Sequence, residues 1–390
     1  MLYLITWLTD FSLLLFVFAG TRRLAEQGAS PRVLGLLGAS FFLASALSNA
    51  CMGSVADRIG RRRVSMTGAL SVFGSLSAIT FAPLGSALYY ASYTLVGVSI
   101  GFVYPPIMAW LGQGKSGLAA RRAFLLFCLS FNLGMVSAQL TGGWLFETVG
   151  PRAPLYVAMV LILTAFMLLC CLREPSAMGS AEQVESSTVT RQLAQSFTRL
   201  TWIANFGGMF SMSIVWFLFP ILIVELEVMP MMHGAVLAVG RIVVMSTYSL
   251  MHFFPFWHFR LSTAVVVQIL GAMGLVAIAR SHSAAEVMIG IAALSLLMGY
   301  NYFASLYYSS CSSAESKQGR AFGLNEASLG LGAAGGSLIG GIAAGSLGSR
   351  APFAIATALV IFLLVTQIIV YAATGVRDLR NRPAPPQTPP

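Results

Sequence analysis

The segment Gly53–Val64, GSVADRIGRRRV, places one acid and four arginines within twelve residues. Only 9% of the chain is charged, and long apolar tracts lie on both sides of this segment. A short, strongly basic segment between two such tracts is typical of a loop that joins two membrane-spanning helices. The segment therefore indicates a membrane protein and marks one of its two faces.

Composition agrees with a membrane protein. Hydrophobic residues make up 57% of the 390 residues, well above the share in soluble domains. The 51 residues between Arg63 and Lys115 carry no charge, and because one crossing needs about 20 residues, this tract must cross twice. We predict twelve spans, at residues 1–21, 33–52, 64–82, 87–111, 123–145, 153–172, 200–224, 231–253, 261–279, 287–311, 321–346 and 352–374.

The spans are predicted to be helices. Ten-residue segments of alternating hydrophobicity, which a transmembrane barrel requires, are missing from the sequence. Helices satisfy their backbone hydrogen bonds within one segment, as the bilayer core demands. The fold class is therefore an all-α membrane protein with twelve transmembrane helices in two pseudo-symmetric bundles of six.

The distribution of arginine and lysine between the loops predicts the orientation of the protein in the membrane. One set of connections and tails carries sixteen of these residues, namely Arg58, Arg61, Arg62, Arg63, Lys115, Arg121, Arg122, Arg173, Arg191, Arg199, Arg260, Lys317, Arg320, Arg377, Arg380 and Arg382. The other set carries six, namely Arg22, Arg23, Arg32, Arg152, Arg280 and Arg350. We call these the arginine-rich and arginine-poor faces, and we expect the arginine-rich face and both termini to be cytosolic in the inner or plasma membrane.

The remaining compositional features exclude other classes. The net charge of +10 follows from topology and contact with anionic lipid, and the chain offers no soluble basic domain for nucleic acid. The first span lacks a basic leader, so we expect it to be retained. The five cysteines show neither a disulfide framework nor a metal spacing. We expect no metal and no cofactor.

The two halves of the sequence resemble each other. An offset of 198 aligns Arg122-Ala-Phe with Arg320-Ala-Phe and Gly142-Gly143 with Gly340-Gly341. An even number of spans separates the matches, so the halves share one topology and are related by an axis along the membrane normal. The predicted domains are a bundle at 1–172, a cytosolic linker at 173–199, a second bundle at 200–374 and a disordered tail at 375–390.

The loop Gly53-xxx-Asp57-Arg58-x-Gly60-Arg61-Arg62 resembles the signature loop of the major facilitator superfamily of secondary transporters. Twelve spans, same-topology halves and a central linker agree with this resemblance over essentially the whole chain. The resemblance implies that Asp57 meets the start of the eleventh span at Gly319–Phe322, close to Arg320, as a gating latch. From the residues alone, Gly60 suits a tight turn and Gly53 suits close helix packing.

A second family pattern lies on the fifth span. Efflux antiporters of this superfamily carry a glycine-rich run with a proline there, whereas this chain has Gly134, Gln139, Gly142 and Gly143. Gln139 replaces the proline, which weakens the antiporter interpretation. The glycines of the fifth and eleventh spans predict close helix packing. Pro105 and Pro106 predict a break in the fourth span.

Three residues that carry a full charge at neutral pH lie within spans, where charge is costly and usually functional. Asp10 is at the middle of the first span, and the family resemblance places acids of proton symporters on this helix. It is therefore a candidate for proton coupling, with a structural partnership as the alternative. Glu326 suits coupling or gating. Arg241 must meet an anion, either Asp10, Glu326 or a carboxylate or phosphate on the substrate.

Polar and aromatic residues in the spans predict a lining for a polar solute, although each such residue on its own more often connects helices. The predicted substrate-binding residues are Arg241, Asn301, Tyr300, Asn132, Asn205, Tyr104, Gln139 and Trp216. No catalytic motif is evident, so we expect a transporter and no enzyme. We predict proton-coupled symport of a small polar organic solute by a monomer in contact with membrane lipids. The alternatives are drug or metabolite efflux by proton antiport, and a lipid flippase or non-transporting sensor.

Overall fold

The computed structural model describes residues 1–113, 115, 117–173, 188–312 and 315–373, without the side chains of residues 54, 117–118, 120–121, 188–191, 310 and 315–324. Within these ranges all regular structure is helical, and twelve helices are long and apolar enough to span a membrane. The helices are α1 (Leu2–Glu26), α2 (Pro31–Ile59), α3 (Arg61–Phe81), α4 (Ala87–Gly112), α5 (Gly117–Thr148), α6 (Ala153–Cys171), α7 (Thr188–Phe217), α8 (Phe219–Glu225), α9 (Pro230–Phe253), α10 (Leu261–Arg280), α11 (Ala284–Ser312), α12 (Glu315–Leu347) and α13 (Ala351–Ala373). The all-α, twelve-span fold class is confirmed.

Several helices differ from the predicted spans. Helix α2 continues to Ile59 and α12 begins at Glu315, so both extend beyond the apolar stretches that the sequence marks as spans. The seventh span was predicted as one segment to residue 224, but α7 ends at Phe217 and the short α8 follows. Pro220 lies in the first turn of α8, and because proline cannot donate a backbone hydrogen bond, the helix is interrupted there.

The predicted break at Pro105 and Pro106 is wrong. Helix α4 is helical from Ala87 to Gly112 with both prolines inside it. A transmembrane helix tolerates proline where neighbouring groups and local adjustments satisfy the freed carbonyl oxygens. Gly97 and Gly101, about two turns and one turn earlier, lie against the backbone of Phe41 and Ser48 on α2, so the neighbouring turns of α4 are held by close packing.

The helices pack in two groups that follow the chain order. Helices α1–α6 contact one another through pairs such as α1–α5, α2–α4 and α3–α6, and the equivalent pairs α7–α12, α9–α11 and α10–α13 hold the second group. The groups meet mainly through two symmetry-related pairs, α2–α12 and α5–α9. The centre of the molecule is therefore surrounded by helices from both halves.

Glycine makes the contact between the halves close. A methyl group added at Gly341 of α12 would lie 2.6 Å from the Cα of Gly35 on α2, and one added at Gly143 of α5 would lie 2.5 Å from the carbonyl oxygen of Pro230, the first residue of α9. Without side chains at these points the two backbones approach to van der Waals distance. The close packing predicted for the glycines of the fifth and eleventh spans is therefore seen.

Within the signature loop defined above, only Gly60, with φ of +107°, lies between α2 and α3. This left-handed region favours glycine, as the tight turn requires. Arg61 donates to the Ala109 carbonyl oxygen of α4 at 3.0 Å and pairs with Asp57 at 3.4 Å. Arg62 donates to the Leu169 carbonyl oxygen at 3.0 Å, at the end of α6. The loop arginines therefore connect four helices of the first half.

Two further expectations for this loop concern Gly53 and Asp57. No atom of the described residues lies within 4 Å of a methyl group placed on Gly53, so the close helix approach expected there is not seen. Arg58 is exposed. The predicted contact of Asp57 with Gly319–Phe322 and Arg320 lies outside the described residues, because the side chains of 315–324 are not described.

Candidate functional site

Asp10 lies on α1 at the centre of the molecule and is only 2% exposed. Its Oδ2 atom has no hydrogen-bond partner among the described residues. The Tyr104 hydroxyl of α4 lies beside the carboxyl group, and the guanidinium of Arg241 on α9 lies within electrostatic range. Because α9 belongs to the second half, the carboxyl group faces the junction of the two halves.

The position of Asp10 follows from helix packing. A methyl group added at Gly134 of α5 would lie 2.5 Å from the Trp7 carbonyl oxygen and 3.0 Å from the Asp10 Cβ. Helix α5 therefore packs directly on the α1 backbone at this level. Trp7 also donates from its indole to the Ser137 hydroxyl at 3.3 Å, and together these contacts fix the rotation of α1 that directs Asp10 inwards.

Arg241 is 5% exposed and its Nη2 atom has no partner in the described part of the chain. Its Cζ lies 5.0 Å from the ring centroid of Trp216 on α7, at the distance of a cation–π contact. The guanidinium is thus held by an aromatic ring on one side and retains an unused donor. A carboxylate is the natural partner for such a donor.

Two tyrosines complete this cluster, and the sequence analysis did not include them among the site residues. Tyr248 and Tyr302 have ring centroids 6.2 Å apart. Tyr248 lies near Arg241 and Asn132, whereas Tyr302 lies near Asp10, Tyr104 and Glu326. Tyr248 follows Arg241 by seven residues, two helical turns, so helical spacing placed it on the same face and could have identified it.

Among the remaining predicted residues, Asn132 and Glu326 face this central cluster. Asn132 donates to the Cys128 carbonyl oxygen at 2.8 Å, and its Oδ1 atom has no described partner. Glu326 of α12 is half-buried and lies within electrostatic range of Tyr302 and of Cys128 on α5. A second carboxyl group therefore approaches the same tyrosine as Asp10.

Other predicted residues are engaged elsewhere. Asn205 of α7 donates to the Asn325 Oδ1 atom of α12 at 2.8 Å, and Asn301 of α11 donates to the Ala204 carbonyl oxygen at 3.3 Å. Both amides therefore connect helices within the second half. Tyr300 packs in a separate aromatic cluster, with its ring centroid 6.3 Å from that of Trp257.

Gln139 lies between the centre and the arginine-poor face. It lines a small void of about 10 Å³ together with Trp216, Phe18 and His233. The Gln139 Oε1 atom, the Trp216 indole nitrogen and both ring nitrogens of His233 have no partner among the described residues. Both halves contribute to this void, which is large enough for about one water molecule.

Beyond this void, the halves are joined at the arginine-poor face. Arg22 of α1 donates to the Val228 carbonyl oxygen at 3.0 Å and pairs with Glu26 at 2.7 Å. Glu147 of α5 accepts from the Met231 backbone N–H at 2.9 Å. These polar contacts close the arginine-poor end of the junction between the halves above the central cluster.

The described residues contain no group of histidine, cysteine or acidic side chains that could hold a metal ion. Of the five cysteines, only Cys128 is fully buried. The central cluster contains carboxyl, guanidinium, phenol and amide groups, which suit the binding of a polar solute and a proton.

A family model described as "Major Facilitator Superfamily" matches residues 2–315. The chain therefore belongs to the major facilitator superfamily of membrane transporters. No curated protein sequence matches it at a significant level.

Solved structures of similar fold include three transporters. The human organic anion transporter MFSD10 is 15% identical, with a TM-score of 0.67 over 94% of this chain and 97% of that chain. A bacterial homologue of the human lysosomal transporter Spinster, in an inward-facing and unoccupied conformation, is 18% identical, with a TM-score of 0.71 over 98% of both chains. A structure of proton-dependent oligopeptide transporters is 13% identical, with a TM-score of 0.73 over 97% of this chain and 98% of that chain. These similarities concern the fold.

Proposed function

We propose that this protein is a secondary active transporter that moves a small polar organic solute by proton-coupled symport. The observation that carries the proposal is Asp10, a buried carboxyl group with an unpartnered Oδ2 atom at the junction of the two halves. A carboxyl group in that position binds a proton in one arrangement of the halves and releases it in the other. The similar fold of proton-dependent oligopeptide transporters supports this chemistry.

We propose that Arg241 binds an anionic group of the solute. Its unused Nη2 donor and its contact with Trp216 at 5.0 Å support recognition of a carboxylate. The alternative is that Arg241 serves only as the internal counter-ion of Asp10, which lies within its electrostatic range. The similar fold of an organic anion transporter favours the substrate role. Tyr104, Tyr248, Tyr302 and Asn132 would then orient the rest of the solute.

Alternating access would act through the contacts between the halves. The contacts of Arg22 with Val228 and of Glu147 with Met231 support an arrangement that is closed at the arginine-poor face. We propose that they separate when that face opens, while Asp10 and Arg241 stay at the centre. The predicted Asp57 latch near Arg320 would act at the opposite face.

We propose that the chain is divided as predicted from the sequence. Residues 1–172 and 200–374 form the two units that move in this mechanism, residues 173–199 form a linker and residues 375–390 form a tail. The excess of arginine and lysine supports a cytosolic arginine-rich face and cytosolic termini in the inner or plasma membrane. A monomer suffices because both halves of the site come from one chain.

Efflux by proton antiport is the second candidate. It would use the same buried carboxyl group, with the proton moving against the solute. Gln139 at the position of the antiporter proline favours uptake instead. A flippase would require a cavity open sideways to lipid, whereas Asp10 and Arg241 are enclosed by helices of both halves.

The proposal is tested in proteoliposomes with an imposed pH gradient. A panel of peptides, nucleosides and organic carboxylates is offered to the wild type, to Asp10→Asn and to the control Glu286→Gln, whose residue is exposed at the start of α11. We expect gradient-driven accumulation in the wild type and the control, and loss of the gradient dependence in Asp10→Asn. Unchanged gradient-driven accumulation in Asp10→Asn would exclude Asp10 as the coupling group.

A further inference from the structure

A second pocket lies in the first half at the arginine-poor face, away from the central cluster. It has a volume of about 460 Å³ and is formed by the end of α1, the 149–152 connection and the start of α6. Its lining includes Arg23, Arg152, Gln27 and Tyr156, together with one acid, Glu26. Pockets of this volume are typical of ligand sites.

Arg23 is the unusual member of this lining. Its side chain is 8% exposed, and its Nη1 atom has no hydrogen-bond partner among the described residues. A buried guanidinium donor without a partner is costly, so such donors normally meet an anion. The only acid in the lining, Glu26, pairs with Arg22 at 2.7 Å. Arg23 and Arg152 are therefore left with positive charge that the pocket itself does not neutralise.

The location of these arginines is also unusual. Only six arginines belong to this face by sequence, and two of them, Arg23 and Arg152, line this one pocket. The others are engaged or exposed elsewhere, as with Arg350, which donates to the Ala279 carbonyl oxygen at 3.1 Å. Two arginines facing one pocket form the arrangement that binds the oxygens of a phosphate group.

The pocket opens towards the lipid-facing side of α6. Tyr156 forms its edge and is 45% exposed, and Val160, Leu163 and Met167 continue an exposed apolar stripe along the same helix face. Residues spaced in this way on a membrane-spanning helix contact acyl chains. A ligand with a phosphate headgroup above acyl chains would match both the arginines and the stripe.

We propose that this pocket binds the phosphate headgroup of an anionic membrane lipid, with Arg23 and Arg152 as the phosphate-binding residues and the α6 stripe against the acyl chains. The site is separate from the Asp10 and Arg241 cluster, and it does not depend on the proposed transport function.

The test measures binding of fluorescent phosphatidylglycerol to the purified full-length protein in micelles of a non-ionic, phosphate-free detergent. We expect Arg152→Gln, an exposed position that the fold tolerates, and Arg23→Gln each to weaken binding by about tenfold, because each removes a charge-assisted hydrogen bond. The matched control Arg280→Gln replaces an exposed arginine outside the pocket on the same face, and we expect it to bind like the wild type.

A second arm offers inorganic phosphate to the protein in micelles without anionic lipid and follows thermal unfolding. We expect no stabilisation at concentrations at which phosphatidylglycerol binds. Equal binding of the lipid by Arg152→Gln, Arg280→Gln and the wild type would overturn the site. Two results together would overturn the lipid assignment in favour of a soluble anion. Phosphate would stabilise the wild type but not Arg152→Gln, and added phosphatidylglycerol would not reduce this stabilisation.

Discussion

Glu147 at the end of α5 accepts a hydrogen bond of 2.9 Å from the backbone N–H of Met231 in the first turn of α9. The two residues belong to different halves, and the carboxylate lies where the positive end of the α9 dipole attracts it. We predict that Glu147→Ala shifts the population about two- to fivefold away from the closed arginine-poor end, because an exposed contact of this kind contributes about 0.5–1 kcal/mol.

The measurement is a distance distribution between spin labels at Val149 and Met229, which are 67% and 62% exposed on either side of the junction. The five natural cysteines are first replaced. The matched control is Glu286→Ala, because Glu286 accepts from the His282 backbone N–H at 2.8 Å on the same face but within one half. Identical distributions for Glu147→Ala and the control would contradict the prediction.

Gly234 on α9 lies against the Gln139 carbonyl group of α5, and a methyl group there would also lie 3.3 Å from the Gly143 Cα. We predict that Gly234→Ala prevents full closure of the arginine-poor end, because the added carbon collides with backbone that cannot move aside. The same pair of labels should report a longer mean distance, and the transport rate should fall at least tenfold if closure is part of the cycle.

The control for Gly234 is Gly74→Ala on α3, where no described atom lies within 4 Å of the added carbon. Alanine has the higher helix propensity by about 1 kcal/mol, so this variant should be at least as stable as the wild type. Wild-type distances and wild-type rates in Gly234→Ala would show that the close contact has no role in gating.

Arg241 can act on the substrate or only on Asp10, and the two roles predict different results. If it binds a solute carboxylate, Arg241→Lys should raise the apparent KM about tenfold or more, because lysine keeps the charge but loses the planar donor pair and the contact with Trp216. Phe16→Leu, a packing change in the α1 core, is the control for general loss of stability.

A double-mutant cycle separates the alternative. If Arg241 is only the counter-ion, Arg241→Gln leaves Asp10 unpaired, and adding Asp10→Asn should restore most of the lost thermal stability. If the stability losses of the two single variants add up in the double variant, and Arg241→Lys raises the KM, the results would support direct recognition of the solute by Arg241. An unchanged KM in Arg241→Lys would refute recognition of an anionic solute by this residue.

The Asn205–Asn325 hydrogen bond of 2.8 Å connects α7 to α12. We predict that Asn205→Ala lowers the free energy of unfolding by about 1 kcal/mol, the usual size of such bonds within membranes, and leaves the substrate KM unchanged. Thermal unfolding in detergent and uptake assays measure the two quantities. A large rise in KM without loss of stability would instead support the substrate-binding role that was predicted for Asn205 from the sequence.

Gly60 joins α2 to α3 with φ of +107°. We predict that Gly60→Ala destabilises the protein by about 1 kcal/mol or more, because a side chain strains the backbone in this region. Gly53→Ala is the internal control, since no described atom lies within 4 Å of the added methyl group and the position is helical. Equal melting temperatures for the two variants would show that the backbone conformation at Gly60 does not limit stability.

Much of the architecture could be predicted because the bilayer sets the length and the hydrophobicity of each segment that crosses it. Each crossing needs about 20 apolar residues with internally satisfied backbone groups, so the twelve helices followed from the apolar tracts. The same cost of charge identified Asp10 and Arg241, since an ionised group inside a span needs a partner or a wet space. Helix ends were less predictable, as α2 and α12 show, because a helix continues into polar residues beyond the membrane.

The membership of the central cluster was decided by tertiary structure. Spans such as α4 and α11 are apolar on all sides, so composition does not indicate which face meets which neighbour. Rotation set by glycine contacts, as between Gly134 and Trp7, directs Asp10 towards Arg241. The same packing assigns Asn205 and Asn301 to helix contacts and brings in Tyr248 and Tyr302. Sequence therefore determined which residues cross the membrane and which of them are costly there, whereas only the packing of one helix against another decided which of these side chains meet.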